Sequence, residues 1–145
     1  DPALMCQLYQ TSLGEDCTPI HDALRVCSIL HERGYKLSII TNGRSTTQHS
    51  RLSHSELTPM ISDLFISEEL GCQKPKKEFF DVVFSKLQIP VSKALVIGDS
   101  LTSDIIGGIQ YGIDTCWFNP NCSDNTMSQA PTYEIKQLSE LLSIL

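Results

Sequence analysis

The sequence predicts a doubly wound α/β domain built on a parallel sheet, and three observations carry that prediction. Short apolar, β-branched segments alternate with helical segments of roughly 10 to 12 residues. None of the apolar segments shows the polar alternation of a half-solvated strand, so a sheet covered on both faces is expected. Two of these segments also run into polar turns, Thr41-Asn42-Gly43 and Asp99-Ser100. That is where open α/β sheets bind their ligands, outside the carboxyl ends of the strands.

The elements follow in order. Thr18-Pro19, with Ile20, Ala23, Leu24, Cys27 and Leu30 at helical spacing, reads as a capped amphipathic helix that Gly34 ends. Lys36-Leu-Ser-Ile-Ile-Thr41 is a buried strand stopping at Asn42-Gly43. A polar helix is expected over 45–57, a short strand over 64–67, and a helix over 76–87 with Phe79, Phe80, Val83, Phe84 and Leu87 on one face. Ala94-Leu-Val-Ile-Gly98 is the third strand. The next helix, 102–111, carries Ile105, Ile106 and Ile109 inward, and its Gly107-Gly108 pair implies close approach to the sheet. Thr115-Cys-Trp-Phe118 is the fourth strand, 119–131 a polar loop, and the tail a short strand near Tyr133 with a helix over 137–144.

Composition narrows the function. At 145 residues, 41% hydrophobic and 19% charged, the chain has the makeup of one ordinary globular domain. A net charge of -6 argues against bulk attraction to nucleic acid polymers or anionic lipid, so an anionic ligand needs a local site. No apolar run reaches the ~18 to 20 residues of a membrane span, and no signal-peptide layout opens the chain. A cytoplasmic protein with reduced thiols is expected, since the six cysteines form no C-x-x-C and no zinc-finger spacing. His21, His31, His49 and His54 read as surface or hydrogen-bonded residues, Glu68-Glu69 as a solvated turn, and Trp117 and Phe118 as core.

The strand ends carry the candidate chemistry. Thr41 offers a hydroxyl and Asn42-Gly43 a backbone amide in a glycine-freed turn; Lys74, fixed by Pro75 at a helix start, offers a cation; Asp99 and Asp104 flank a strand-to-helix turn. Donors, one cation and two carboxylates suit a phosphoryl group and Mg²⁺. Asp99 is the better direct metal ligand, and Asp104 is placed to hold a metal-bound water.

The succession Ile39-Ile-Thr-Asn-Gly43, Lys74-Pro75 and Val96-Ile-Gly-Asp-Ser-Leu-Thr-Ser-Asp104 resembles motifs two, three and four of the haloacid dehalogenase (HAD) superfamily of phosphohydrolases. The likeness covers nearly the whole chain from Thr18 onward, and G-D-x-x-x-x-D is its most specific part. Ile66-Ser-Glu-Glu-Leu-Gly71, Asp104-Ile-Ile-Gly-Gly-Ile109 and Cys116-Trp117 resemble the pyrimidine and house-cleaning nucleoside 5′-monophosphate phosphatases, with a sugar-phosphate branch, including acylneuraminate 9-phosphate phosphatases, nearby. The resemblance implies a Rossmann-like core, a small phosphomonoester substrate and Mg²⁺. It further implies that Thr41 and Lys74 act in catalysis, that Thr41, Asn42, Gly43 and Lys74 bind the phosphate, and that Asp99 and Asp104 hold the metal.

The family's first motif, a strand ending D-x-D whose first Asp becomes the aspartyl phosphate, has no counterpart here, and Glu15-Asp16-Cys17-Thr18 abuts a helix cap instead. Residues 1–17 are therefore expected to be the end of a helical cap or a linker, and 18–145 the C-terminal portion of the core. The opening Asp1-Pro2 fits a piece of a longer protein. Two expectations follow: the chain alone has no nucleophile and no catalysis, and the family's central strand and most of its cap are missing. The strands ending at Thr41 and Asp99 are then edges that pair with each other, with another chain, or with the missing segment. A phospho-receiver domain fits less well, because its acidic pair comes first and its Lys last. A non-catalytic binding protein on the same fold is the competing reading.

Overall fold

The structure, a computed structural model, describes residues 19–145, so residues 1–17 and the Thr18 cap lie outside the described residues. The chain divides into two compact units that meet in sequence at Gly71 and Cys72. Every strand pairing in both units is parallel, in agreement with the predicted class.

In the first unit, helix α1 (Ala23–Glu32) buries Ala23, Val26 and Leu30, a 3-4 spacing that places one stripe against the interior. It starts later than Thr18-Pro19 suggested. Asp22 enters the helix from the left-handed region at φ 65°, and Ile20 is 57% exposed. The helix ends as the sequence required: Gly34 takes φ +88°, and the Tyr35 N–H donates to the Leu30 carbonyl. Strand β1 (Leu37–Thr41) follows, then α2 (Ser45–Ser53), a 3-10 turn at Thr58–Met60, β2 (Ile61–Ile66) and the single turn α3 (Ser67–Leu70). Helix α2 stops short of the expected residue 57, because His54 Nδ1 and the Thr58 hydroxyl bond the Ser50 and Leu52 carbonyls of its last turn. β1 and β2 pair from Ser38↔Asp63 to Thr41↔Ile66 with a bulge at Leu37, so both strands deliver their next residues to one edge.

In the second unit, α4 (Lys77–Leu87) buries Phe79, Phe80 and Val83. A 3-10 turn at Val91–Lys93 leads to β3 (Leu95–Gly98), and a π-helical turn (Leu101–Ile105) precedes α5 (Ile106–Tyr111) and β4 (Asp114–Phe118). β5 (Tyr133–Ile135), a 3-10 turn at Leu138–Glu140 and α6 (Leu141–Ile144) complete it. The sheet order is β3-β4-β5. The glycine pair does what its position implied. A Cβ on Gly108 would lie 2.5 Å from Thr115 Cγ2 of β4, and one on Gly107 2.8 Å from Phe80 Cε2 of α4. Only hydrogen lets α5 pack this close to both.

The predicted cover on both faces holds only partly. Among the described residues β1 pairs with β2 alone and β3 with β4 alone. Every residue of β1 is half-buried, and Ile97 of β3 is 39% exposed. Both strands are edges of their ladders, which is why apolar sequences are left partly uncovered.

The loop after β4 is tied at its neck. Buried Asn119 donates from Nδ2 to the Ser123 carbonyl and Glu134 Oε1, accepts from the Ser123 N–H, and donates its own N–H to the Ile135 carbonyl. On the other side, the Thr115 N–H donates to Thr132 Oγ1, and the Thr132 N–H to Thr115 Oγ1. No helix among the described residues is long and apolar enough to cross a membrane.

Candidate active site

Thr41, Asn42 and Gly43 lie in the first unit; Lys74, Asp99 and Asp104 lie in the second. In the first, the register Thr41↔Ile66 brings Gly43 and Ser67 out of the sheet side by side. The Gly43 N–H, read from the sequence as a phosphate donor, donates to Ser67 Oγ at 3.0 Å. Helix α2 begins just beyond, and α3 serves its first turn: the Ser45 N–H donates to Glu68 Oε2 at 2.7 Å, the Ser45 hydroxyl to Glu69 Oε1 at 2.5 Å, and His49 Nε2 lies 2.7 Å from the same oxygen. Carboxylates are favourable at a helix N-terminus, whose amides are unpartnered and whose dipole is positive there. Glu68 and Glu69 thus organise the turn after β1. They are not merely a solvated turn.

In the second unit the structure brings two predicted residues into contact. Lys74, 7% exposed and followed by a cis bond to Pro75, places its ammonium 2.6 Å from Asp104 Oδ1, and Asp104 is 8% exposed. Burying two charges is tolerable only when they meet with good geometry and their remaining polar atoms are served. Asp104 meets that condition, because Oδ2 accepts the Ser100 N–H at 3.3 Å. The π-helical turn supports this arrangement: the Asp104 and Ile105 N–H groups both reach the Ser100 carbonyl. Gly98 makes room for it. A Cβ there would stand 2.3 Å from Asp104 Oδ2, so the carboxylate occupies the volume that any other side chain would fill.

Asp99 follows directly and is exposed. Its backbone carbonyl accepts the indole N–H of Trp117 at 3.0 Å, and Trp117 itself is 3% exposed. Sequence reasoning placed Trp117 in the core and missed this bond. Ser67 was missed as well, although a polar residue directly after a strand that pairs with β1 is the signal that marks it.

Among the described residues, no three His, Cys, Asp or Glu side chains gather where they could hold a metal ion. The two carboxylates nevertheless fit Mg²⁺ in kind. That ion takes oxygen donors, is bound by one or two carboxylates, and keeps several waters. Asp99 is the exposed one of the pair, and Asp104 is committed to Lys74 and Ser100.

Comparison with known proteins agrees with the motifs. The profile of the haloacid dehalogenase-like hydrolase family matches residues 2–118. YfnB of Bacillus subtilis, which carries the name HAD-hydrolase, is 46% identical over all of this chain and 62% of its own length. Its crystal structure bound to magnesium superposes with a TM-score of 0.93, covering 99% of this chain and 63% of that one. The pyrimidine 5′-nucleotidases PynA of Streptococcus pneumoniae and YjjG of Escherichia coli are 38% and 35% identical over the whole chain, which covers 62% and 64% of their lengths. The chain thus spans a little over three fifths of these relatives. With G-D-x-x-x-x-D at the end of β3, the buried Lys74–Asp104 pair and a family profile running through most of the sequence, this chain belongs to the haloacid dehalogenase-like hydrolase family.

Proposed function

We propose that this chain supplies the phosphate- and metal-handling residues of a cytoplasmic, Mg²⁺-dependent phosphomonoesterase acting on nucleoside 5′-monophosphates. The observation that carries the reading is the buried Lys74–Asp104 pair, five residues beyond an exposed Asp99 at the end of a parallel strand. Lys74 offsets the charge of the phosphoryl group and of the nucleophile. Its ammonium is held by Asp104 in a water-poor place, where charge stabilisation is strongest. Thr41, Asn42 and the Gly43 amide donate to phosphoryl oxygens, and a phosphate taking the Gly43 N–H replaces Ser67 Oγ as its acceptor. Asp99 holds Mg²⁺ directly, and Asp104 serves it through water while fixing Lys74. When bound, Mg²⁺ neutralises charge on the phosphate oxygens.

The nucleoside assignment draws its support from the likeness to PynA and YjjG. The aspartyl nucleophile is assigned to a D-x-D segment that these 145 residues do not contain, so the chain alone is inactive. Residues 1–17 are assigned to the end of a cap or a linker and 18–145 to the core. The edges of β1 and β3 are assigned to pairing with a strand from another segment or chain. The test is phosphate release from nucleoside and sugar monophosphates, with Mg²⁺ and with EDTA. It is measured for the 145-residue chain and for a protein carrying it together with a D-x-D segment. Release is expected only from the latter, preferring pyrimidine nucleotides, abolished by Asp99→Asn and lowered ~10²-fold or more by Lys74→Ala. Unchanged turnover in both variants overturns the site, and preference for a sugar phosphate overturns the substrate class.

A further inference from the structure

We infer that Trp117 is a positioning residue that aims Asp99 at the metal. The inference rests on the metal-binding reading of Asp99 given above. The β3-β4 ladder ends at Gly98↔Trp117, so the Asp99 carbonyl lies one residue past the last backbone pairing. The indole N–H of Trp117 reaches that carbonyl at 3.0 Å from a ring that is almost wholly buried. The Asp99 carbonyl and the Ser100 N–H belong to one peptide group, and the Ser100 N–H donates to Asp104 Oδ2 at 3.3 Å. Both ends of this peptide plane are therefore held, one by tryptophan and one by the carboxylate that also binds Lys74. Fixing the plane fixes ψ of Asp99, and with it the direction in which an exposed side chain leaves the backbone. Tryptophan suits the task because its single N–H sits on a rigid ring with few rotamers to lose, carried by a strand in register with the ligand's own.

The test is made on the 145-residue chain with Mn²⁺ as the probe, by electron paramagnetic resonance of the free ion. Trp117→Phe keeps an aromatic ring and removes the donor. It is expected to weaken Mn²⁺ binding about three- to tenfold, the worth of one hydrogen bond. Asp99→Asn is expected to abolish binding. A merely structural tryptophan would lower the melting temperature without touching metal affinity, so Ile135→Val, in the core at β5, serves as the comparison: less stable, with wild-type affinity. Trp117 is also the sole tryptophan of the chain, and its emission in the unmutated protein is expected to change on metal addition and to stay constant in Asp99→Asn. Wild-type affinity in Trp117→Phe, with Asp99→Asn inert, overturns the inference and leaves the metal reading intact. Absence of Mn²⁺ binding to the unmutated chain, or full binding by Asp99→Asn, overturns both.

Discussion

Gly98→Ala adds one methyl group and tests the whole arrangement at the end of β3. The new Cβ would lie 2.3 Å from Asp104 Oδ2, 2.5 Å from its Cγ and 2.6 Å from its Cβ. To reach even 3.0 Å the carboxylate must retreat by about 0.7 Å, and it cannot rotate away freely. Oδ1 is held 2.6 Å from the Lys74 ammonium, and Oδ2 by the Ser100 N–H. Disrupting a buried ion pair costs about 3–5 kcal/mol. Alanine on an extended strand returns roughly 0.4–1 kcal/mol by restricting the unfolded chain. The net expectation is a loss of about 2–4 kcal/mol, which lowers the urea midpoint by about 1–2 M at a slope of about 2 kcal/mol per M. The sign is informative, since a glycine with no neighbour would be stabilised by the same change. In an Asp104→Gly background the whole side chain, including the Cβ at 2.6 Å, is gone, and Gly98→Ala is expected to be neutral or stabilising, so the two changes are strongly non-additive. A single variant within about 0.5 kcal/mol of the unmutated chain, or an equal loss in both backgrounds, would refute the packing account.

Three further outcomes can be checked by similar means. Gly108→Ala drives a methyl into Thr115 Cγ2, a fully buried residue, and is expected to cost about 1–3 kcal/mol in urea unfolding. Glu140 accepts the Gln137 and Lys136 N–H groups at 2.8 Å, and these bonds lower its carboxyl below the ordinary value of 4.5. Its contribution is therefore complete above pH 4.5 and is lost as pH falls through the lowered value. Glu140→Gln should reduce stability at pH 7 and flatten the acid limb of the stability curve. Burial, aided by the Glu140 charge, pushes the Cys116 thiol up to about 11. Mapping of iodoacetamide adducts at pH 8 should find exposed Cys122 modified while Cys116 reacts only after denaturation.

The sequence reveals the fold wherever one residue's chemistry decides a local geometry. Gly34 ending α1, the Phe79, Phe80 and Val83 stripe, and the Gly107-Gly108 approach are of that kind, and the structure places each as read. Boundaries set by tertiary partners are not legible. Helix α2 ends where His54 and Thr58 bond its last carbonyls, and the four residues of α3 are too few to show a period. The π-helical turn escapes notice because Ile105, Ile106 and Ile109 carry the same apolar pattern with or without it. At the candidate site the residue types are legible, but their pairing is not. Lys74 and Asp104 stand 30 residues apart and meet only because the chain doubles back through α4 and β3. Nothing local to Trp117 marks the destination of its N–H.

The tied neck of the loop after β4 separates two demands that most connections must meet together. The strands are registered by Asn119 on one side and by the Thr115–Thr132 exchange on the other. Residues 120–130 are almost entirely exposed and add nothing to the ladder. Since closure entropy grows only logarithmically with length, each doubling of such a loop costs about 0.6 kcal/mol. An epitope or a small foreign domain spliced into this segment would leave β4 and β5 in register, making it the natural grafting point on the second unit.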